Sequence, residues 1–352
     1  MAEAPPPLSA LQGGAEARAA WRRYWLSDTI SGVADTATHY ALRALPVELC
    51  SAIGWRLGQW VGARHHAWHA RATRNLRHLR PELDDDAAAR AIRRMWGHIG
   101  STMAEFSALP RIWGSDRVAV AGLHNLDAAR ATGRPRIAAA LHLGNWEIVG
   151  PTLLDLGENG VDVYQPPRNR FERRIADRVR RRFAGHLLPP GPGTALRLYK
   201  ALAEEGRGVV LYVDEFRDRR VHAPFFGRPL RLDGNLARVV RLALMTGAVI
   251  IPAYCVREGH GRFCLHIEPP IRLGGGTDKS AIERGAAQLD SVITPIVLRH
   301  IEQWFMLHDL VLDEVPAGRA GPIRDSRPQP APGIVPWAAG EPQGFEDGRA
   351  AR

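Results

Sequence analysis

Two textures of apolar patterning divide the chain. From Trp21 to Trp113 apolar residues recur at helical spacing, as in YALRALPVELCSAIGWRLGQWVG (40–62). DDDAAARAIRRMWGHIGSTMAEF (84–106) opens on three acids, which suits a helix N-terminus. Beyond it, short apolar runs alternate with amphipathic ones. RIAAALHL, VDVYQP, GVVLYVDE, AVIIPAYCVRE and RFCLHIEPPI read as strands. A basic segment at 171–184, TALRLYKALAEEG, LARVVRLALMTG and a last segment at 278–308 read as helices. This alternation predicts an α/β fold with a mostly parallel central sheet flanked by helices, preceded by a helical cap.

The ends lack such patterning. Residues 1–17 and 314–352 are rich in Ala, Pro and Gly and are expected to be disordered. Between them lies one expected domain, 18–313, with the cap at 18–115 and the α/β core at 116–313. Forty-five percent of residues are hydrophobic, enough for a substantial core. No apolar run reaches the roughly 20 residues that span a bilayer, because Arg43, Glu48, Arg56 and Arg241 interrupt the best candidates. The start also lacks a signal-peptide pattern. Three cysteines without metal-like spacing fit a reducing compartment.

Charge narrows the partners. The formal net charge is +10, and only Lys200 and Lys279 are lysines among 47 basic residues. Such a chain favours nucleic acid, an anionic membrane face or a phosphorylated substrate. Arginines crowd RNRFERRIADRVRRRFAG (168–185), where guanidinium groups suit phosphate. No nucleic-acid motif accompanies them, so no nucleic acid is expected. His65, His66 and His69 lack carboxylate or cysteine partners, and no metal site is expected. A G-x-S-x-G nucleophile turn and a P-loop are both missing.

The candidate chemistry lies in AAALHLGNWEIVG (138–150). His142 leaves a strand and Glu147 follows five positions later. One reading is a strand, a glycine turn and a helix with an acid in its first turn. The other is a general base, with a carboxylate on the far imidazole nitrogen fixing the tautomer. Asp214 ends another strand. In an open α/β sheet, groups at strand C-termini gather at one edge, which would bring it towards His142.

With those residues in view, the chain resembles the lipid A late (lauroyl/myristoyl) acyltransferases, within the glycerolipid acyltransferases that carry His-x4-Asp/Glu. HLGNWE matches that block; VYQPPRN resembles the next, with Asn169 on its asparagine and Gln165 where arginine is usual. Arg180 falls on the substrate-binding arginine, and LYVDEF supplies the required aspartate, Asp214. VHAPFFGRPL and IEQWFMLH resemble two later blocks, so the likeness runs from about Trp21 to Asp309.

The resemblance implies a glycerolipid-acyltransferase-like fold and an O-acyltransferase of lipid A biosynthesis. His142 would deprotonate the acceptor hydroxyl and Glu147 would stabilise the imidazolium. Amides of Gly144 to Trp146 or a basic side chain would hold the oxyanion. Asn145, Asn169, Arg180 and Asp214 would bind substrate, Asp214 by positioning Arg180 or the acceptor sugar. No cofactor is expected; an acyl thioester of acyl carrier protein, or of coenzyme A, would be co-substrate. Expected partners are acyl carrier protein, an anionic membrane surface and a lipid A precursor, at the cytoplasmic face of the bacterial inner membrane without spanning it. Another glycolipid or a lysophospholipid is the alternative acceptor. A non-catalytic basic binder of membrane or nucleic acid is the alternative class.

Overall fold

A computed structural model describes residues 4–312 and the pair Val335–Pro336. The expected tail, 314–352, lies outside the described residues apart from that pair. The expectation for 1–17 needs correction, because a 3-10 helix at Leu8–Gln12 and helix α1 (Ala15–Arg22) form there. Composition hid the tether: the Trp25 indole donates to the Pro6 carbonyl oxygen at 3.0 Å, and Arg18 donates back to Gly13 at 2.5 Å.

The cap is built from α2 (Asp28–Ala44), α3 (Val47–Arg64), α4 (His66–Leu79), α5 (Asp85–Glu105) and the short α6 (Leu109–Ile112). Asp84 caps α5, its Oδ1 accepting from the Ala87 N–H at 2.7 Å, and Asp85 and Asp86 face the helix dipole. Helices α3 and α5 meet along a glycine seam. Gly54, Gly58 and Gly62 lie one turn apart on α3; a Cβ on Gly58 would be driven into the Trp96 carbonyl, and one on Gly54 into that of Gly100. Only glycine permits so close a crossing.

The sheet contains β1 (Val118–Ala121), β2 (Arg136–Ala140), β3 (Gly160–Val163), β4 (Leu187–Leu188) and β5 (Gly208–Tyr212). A small hairpin follows, β6 (Phe216–Arg217) and β7 (Arg220–Val221), then β8 (Val249–Gly259), β9 (Arg262–Ile267) and β10, the pair Val335–Pro336. The sheet order is β10-β1-β9-β8-β2-β5-β3-β4. All neighbours run parallel except β8 with β9 and β1 with β10. The mostly parallel α/β architecture is thus as the alternation predicts.

Both faces of the sheet are covered, as parallel strands require. Helices α7 (Leu123–Ala131) and α8 (Val149–Asp155) lie on one face with Ala138 and Ala140. Between α8 and the second group runs α9 (Arg170–Val179), the basic helix. On the other face α10 (Thr194–Ala203), α11 (Asn235–Thr246) and α12 (Lys279–Arg299) pack with Ile137, Ala139 and Leu141. Leu76 of α4 and Ile92 and Met95 of α5 join that second core, so the cap shares the hydrophobic interior of the sheet. The expected last helix, 278–308, is shorter. After Arg299 the chain breaks into 3-10 turns at Ile301–Gln303 and Phe305–His308. That break carries Gln303 and Trp304 to the ends of the central strands.

Candidate active site

Register explains the centre of the site. Strands β2 and β5 pair in parallel with Ala140 opposite Tyr212. His142 and Asp214 each stand two residues further on and therefore meet. His142 Nδ1 lies 2.8 Å from Asp214 Oδ1, and the His142 backbone N–H donates to Asp214 Oδ2 at 2.9 Å. The Trp304 indole donates to the same Oδ2 at 2.9 Å. A carboxylate there only accepts, so Nδ1 carries the proton and Nε2 keeps its lone pair. The imidazole is flanked by Tyr212, ring centroids 4.5 Å apart, and Trp146, 5.4 Å.

This corrects the assignment of roles. The acid on the far nitrogen is Asp214, fully buried behind the ring, not Glu147. Glu147 instead takes the guanidinium of Arg180 side-on: Nε donates to Oε2 at 3.0 Å and Nη2 to Oε1. So Glu147, rather than Asp214, positions Arg180. The guanidinium also lies over the Tyr164 ring, 4.3 Å from its centroid. Arg180 is the residue that caps the C-terminus of α9, and a 3-10 turn at Arg181–His186 replaces the rest of the expected helix.

Two further expectations change. Asn145 is fully buried and its side chain is spent internally, donating to Glu105 Oε2 at 2.9 Å and accepting from the Glu147 N–H at 3.3 Å. Asn169 caps α9, accepting from the Phe171 N–H at 2.9 Å, and ties it to α2 by donating to the Asp28 carbonyl at 3.0 Å. Neither residue lines the cavity that His142 borders. The glycine turn is forced, since Gly144 has φ +56° and a Cβ there would lie 2.5 Å from the Cys255 carbonyl oxygen. Among expected oxyanion donors, the Gly144 N–H is already committed to the Gln303 carbonyl at 3.1 Å. The Trp146 N–H has no protein acceptor among the described residues.

His142, Glu147 and Arg180 line one cavity of about 550 Å³. Its inner wall is apolar, with Trp113, Leu126, Leu153, Phe183 and Ile251, while Tyr164 and Tyr212 lie near the bases and acids. Asp162 of β3 is a group the sequence reading missed. Burial pushes its carboxyl up to about 7, with the Glu147 charge adding to that rise. Glu215 is also raised to about 7 by burial, although it accepts the Asn235 N–H that opens α11. Trp304 was missed as a site residue too, although the IEQWFMLH block contains it.

Comparison with known proteins identifies relatives of the chain. Residues 23–312 match the family described as bacterial lipid A biosynthesis acyltransferase. Phosphatidylinositol mannoside acyltransferase of Mycobacterium tuberculosis (strain H37Rv) is 28% identical over 212 residues, 59% of this chain and 64% of that protein. Its counterpart in Mycolicibacterium smegmatis is 28% identical over 182 residues, 49% of this chain and 56% of the relative. The chain thus spans under two thirds of the length of these relatives. Among solved structures, the 1-acyl-sn-glycerophosphate acyltransferase PlsC of Thermotoga maritima is 14% identical, covering 71% of this chain and 97% of its own at a TM-score of 0.32, too distant to inform the site.

Proposed function

The chain belongs to the bacterial lipid A biosynthesis acyltransferase family, and on that premise we propose that it transfers a fatty acyl chain from a thioester to a hydroxyl of an anionic glycolipid. The observation that carries this reading is the imidazole of His142, its Nδ1 held by buried Asp214 while Nε2 is left for a substrate. The acceptor hydroxyl gives its proton to Nε2 as its oxygen attacks the thioester carbonyl carbon. Asp214 stabilises the imidazolium. The carbonyl oxygen gains negative charge and is held by the Trp146 N–H. Collapse breaks the C–S bond, and the imidazolium returns its proton to the departing thiolate. An ester and a free thiol result, with no cofactor and no acyl-enzyme.

Arg180 is the acceptor's charge anchor. Glu147 occupies Nε and one side of Nη2, which leaves Nη1 for a phosphate oxygen. We assign the apolar inner wall of the cavity to the acyl chain. The family description favours a lipid A precursor, and the mannoside acyltransferases favour a mannosylated phosphatidylinositol; both present sugar hydroxyls beside phosphate. Acyl carrier protein is the favoured donor because its acidic surface complements a chain of net charge +10.

Attachment to an anionic membrane, at the cytoplasmic face of the inner membrane, completes the reading. Ile30 and Val33 of α2 and Leu57, Trp60 and Val61 of α3 are exposed apolar side chains beside arginines such as Arg56 and Arg64. Among the described residues no helix is long and apolar enough to cross a membrane.

The test incubates purified protein with labelled acyl carrier protein and coenzyme A thioesters. Acceptors are a tetraacylated lipid A precursor, mannosylated phosphatidylinositol and lysophospholipids. Label should reach a glycolipid with wild type and not with His142→Ala. Transfer to none of them, or equal transfer by His142→Ala, refutes the reading.

A further inference from the structure

The mechanism above makes no use of the most deeply buried ion pair among the described residues. Glu105, the last residue of α5, is fully buried, and Arg257 of β8 nearly so. Arg257 Nη1 donates to Glu105 Oε1. Burying two charges is costly and seldom a gain in stability over apolar side chains of the same size. What distinguishes this pair is where its remaining hydrogen bonds go.

Both partners reach the turn between His142 and Glu147. Glu105 Oε2 accepts from Asn145 Nδ2 at 2.9 Å, and Asn145 Oδ1 accepts from the Glu147 N–H at 3.3 Å. On the other side, Arg257 Nη2 donates to Thr102 Oγ1 at 2.8 Å, and that hydroxyl donates to the Gly144 carbonyl at 2.7 Å. The Arg257 backbone is clamped in turn. Its N–H donates to Gln303 Oε1 at 2.8 Å, Gln303 Nε2 donates to the Arg257 carbonyl at 3.1 Å, and the Gln303 carbonyl accepts from Gly144. Two chains of hydrogen bonds therefore run from one ion pair to Gly144 and to Glu147. The His142 ring is fixed by Asp214 and by the register of β2 with β5, while its carbonyl accepts from the Phe305 N–H at 3.0 Å; neither the Glu105 nor the Arg257 side chain bonds to it.

We propose that Glu105 and Arg257 are positioning residues, which through Asn145 and Thr102 set the backbone of Gly144–Glu147 and so aim the Glu147–Arg180 pair at the acceptor. Neither touches substrate. A buried charge suits the task because Glu105 offers a fixed, strongly accepting oxygen to Asn145, and the planar guanidinium fixes the Thr102 hydroxyl in one orientation. The pair thus serves the acceptor half of the site and leaves the base alone. The inference rests on the acyl-transfer reading only for its kinetic consequence.

The experiment uses full-length Glu105→Leu/Arg257→Met, which removes both charges together and leaves neither stranded. Amide hydrogen exchange over 144–148 should quicken while β2 and β5 keep wild-type protection. The acceptor KM should rise about 10- to 100-fold, the scale on which small displacements in a site are felt. The acid limb of the kcat/KM profile should stay where it is in wild type. Wild-type exchange at 144–148 together with a wild-type KM would show the pair to be structural only. A shifted acid limb would place its influence on His142 and also overturn the assignment. Thr102→Val, which deletes one hydroxyl, decides the matter if the double variant does not fold: faster exchange at Gly144 to Glu147 with a raised KM supports the proposal, and no change in either overturns it. Exchange needs no turnover, so a failure of acyl transfer in wild type would be seen apart from a failure of positioning.

Discussion

Asp214→Asn is the sharpest perturbation of the base. Asp214 Oδ2 accepts two N–H groups, from the His142 backbone and the Trp304 indole, while Oδ1 faces one, His142 Nδ1. The amide has one acceptor oxygen and one donor group. Placing its oxygen at the Oδ2 position satisfies two donors and points the NH2 at Nδ1; the reverse sets the NH2 against two donors. Each lost or clashing buried bond costs on the order of 1–3 kcal/mol, so the first orientation prevails. Nδ1 must then accept, the proton moves to Nε2, and the lone pair that would take the hydroxyl proton is gone. Loss of a correctly oriented base is worth about 10²- to 10⁴-fold in kcat, or about 3–5 kcal/mol. The assay is single-turnover acyl transfer at saturating thioester, with the melting temperature measured alongside. Glu147→Gln is the companion, since it leaves the imidazole untouched and should act mainly on acceptor KM. Asp214→Asn within a few-fold of wild type would refute the tautomer argument. A kcat loss for Glu147→Gln equal to that of Asp214→Asn at unchanged KM would return Glu147 to the imidazole.

Three other outcomes can be measured directly. Arg180→Lys keeps a charge but loses the side-on fork, so acceptor KM should rise by about tenfold or more, and the rise should shrink for an acceptor without phosphate; equal losses for both would reduce Arg180 to structural support. The Asp162 carboxyl is raised to about 7 in the folded protein against an ordinary value near 4. Between those values the folded state binds the extra proton, so this group costs stability as pH rises from about 4 to 7 and the full cost stands above 7. Asp162→Asn should therefore raise the melting temperature relative to wild type more at pH 8 than at pH 5; an equal difference at both would contradict the burial argument. Gly58→Ala should cost about 1–3 kcal/mol by overpacking the seam between α3 and α5, whereas Gly191→Ala, with open space around it, should melt with wild type.

Strand ends were legible because apolar runs stop there, and both His142 and Asp214 were recognised as such ends. Their approach to one edge follows from the same strand ends, but the direct bond does not, since that needs β2 and β5 to be neighbours with Ala140 opposite Tyr212. The acid five residues away in sequence was nearer to hand than the one 72 residues away that holds the ring. The resemblance makes ligand groups of Asn145 and Asn169, but a polar side chain in a motif does not reveal its direction. One proved to be a buried strut and the other a helix cap. Gly54, Gly58 and Gly62 stand in plain sight at intervals of four, but the apolar residues that mark α3 as a helix say nothing of how near another helix can come. The first 17 residues failed for a related reason: composition weighs propensity and is blind to a single indole hydrogen bond.

The parallel register that joins His142 to Asp214 has an evolutionary corollary. The proposed base and its orienting acid are soldered to adjacent strands, while much of the cavity wall proposed to meet the acceptor, including Tyr164 and Arg180, hangs on the excursion between them. On the proposed reading, drift in that excursion would retune what is acylated without rebuilding the proton-handling unit. Grafting residues 164–203 from a relative with a different acceptor should transplant selectivity while the host's pH dependence stays in place.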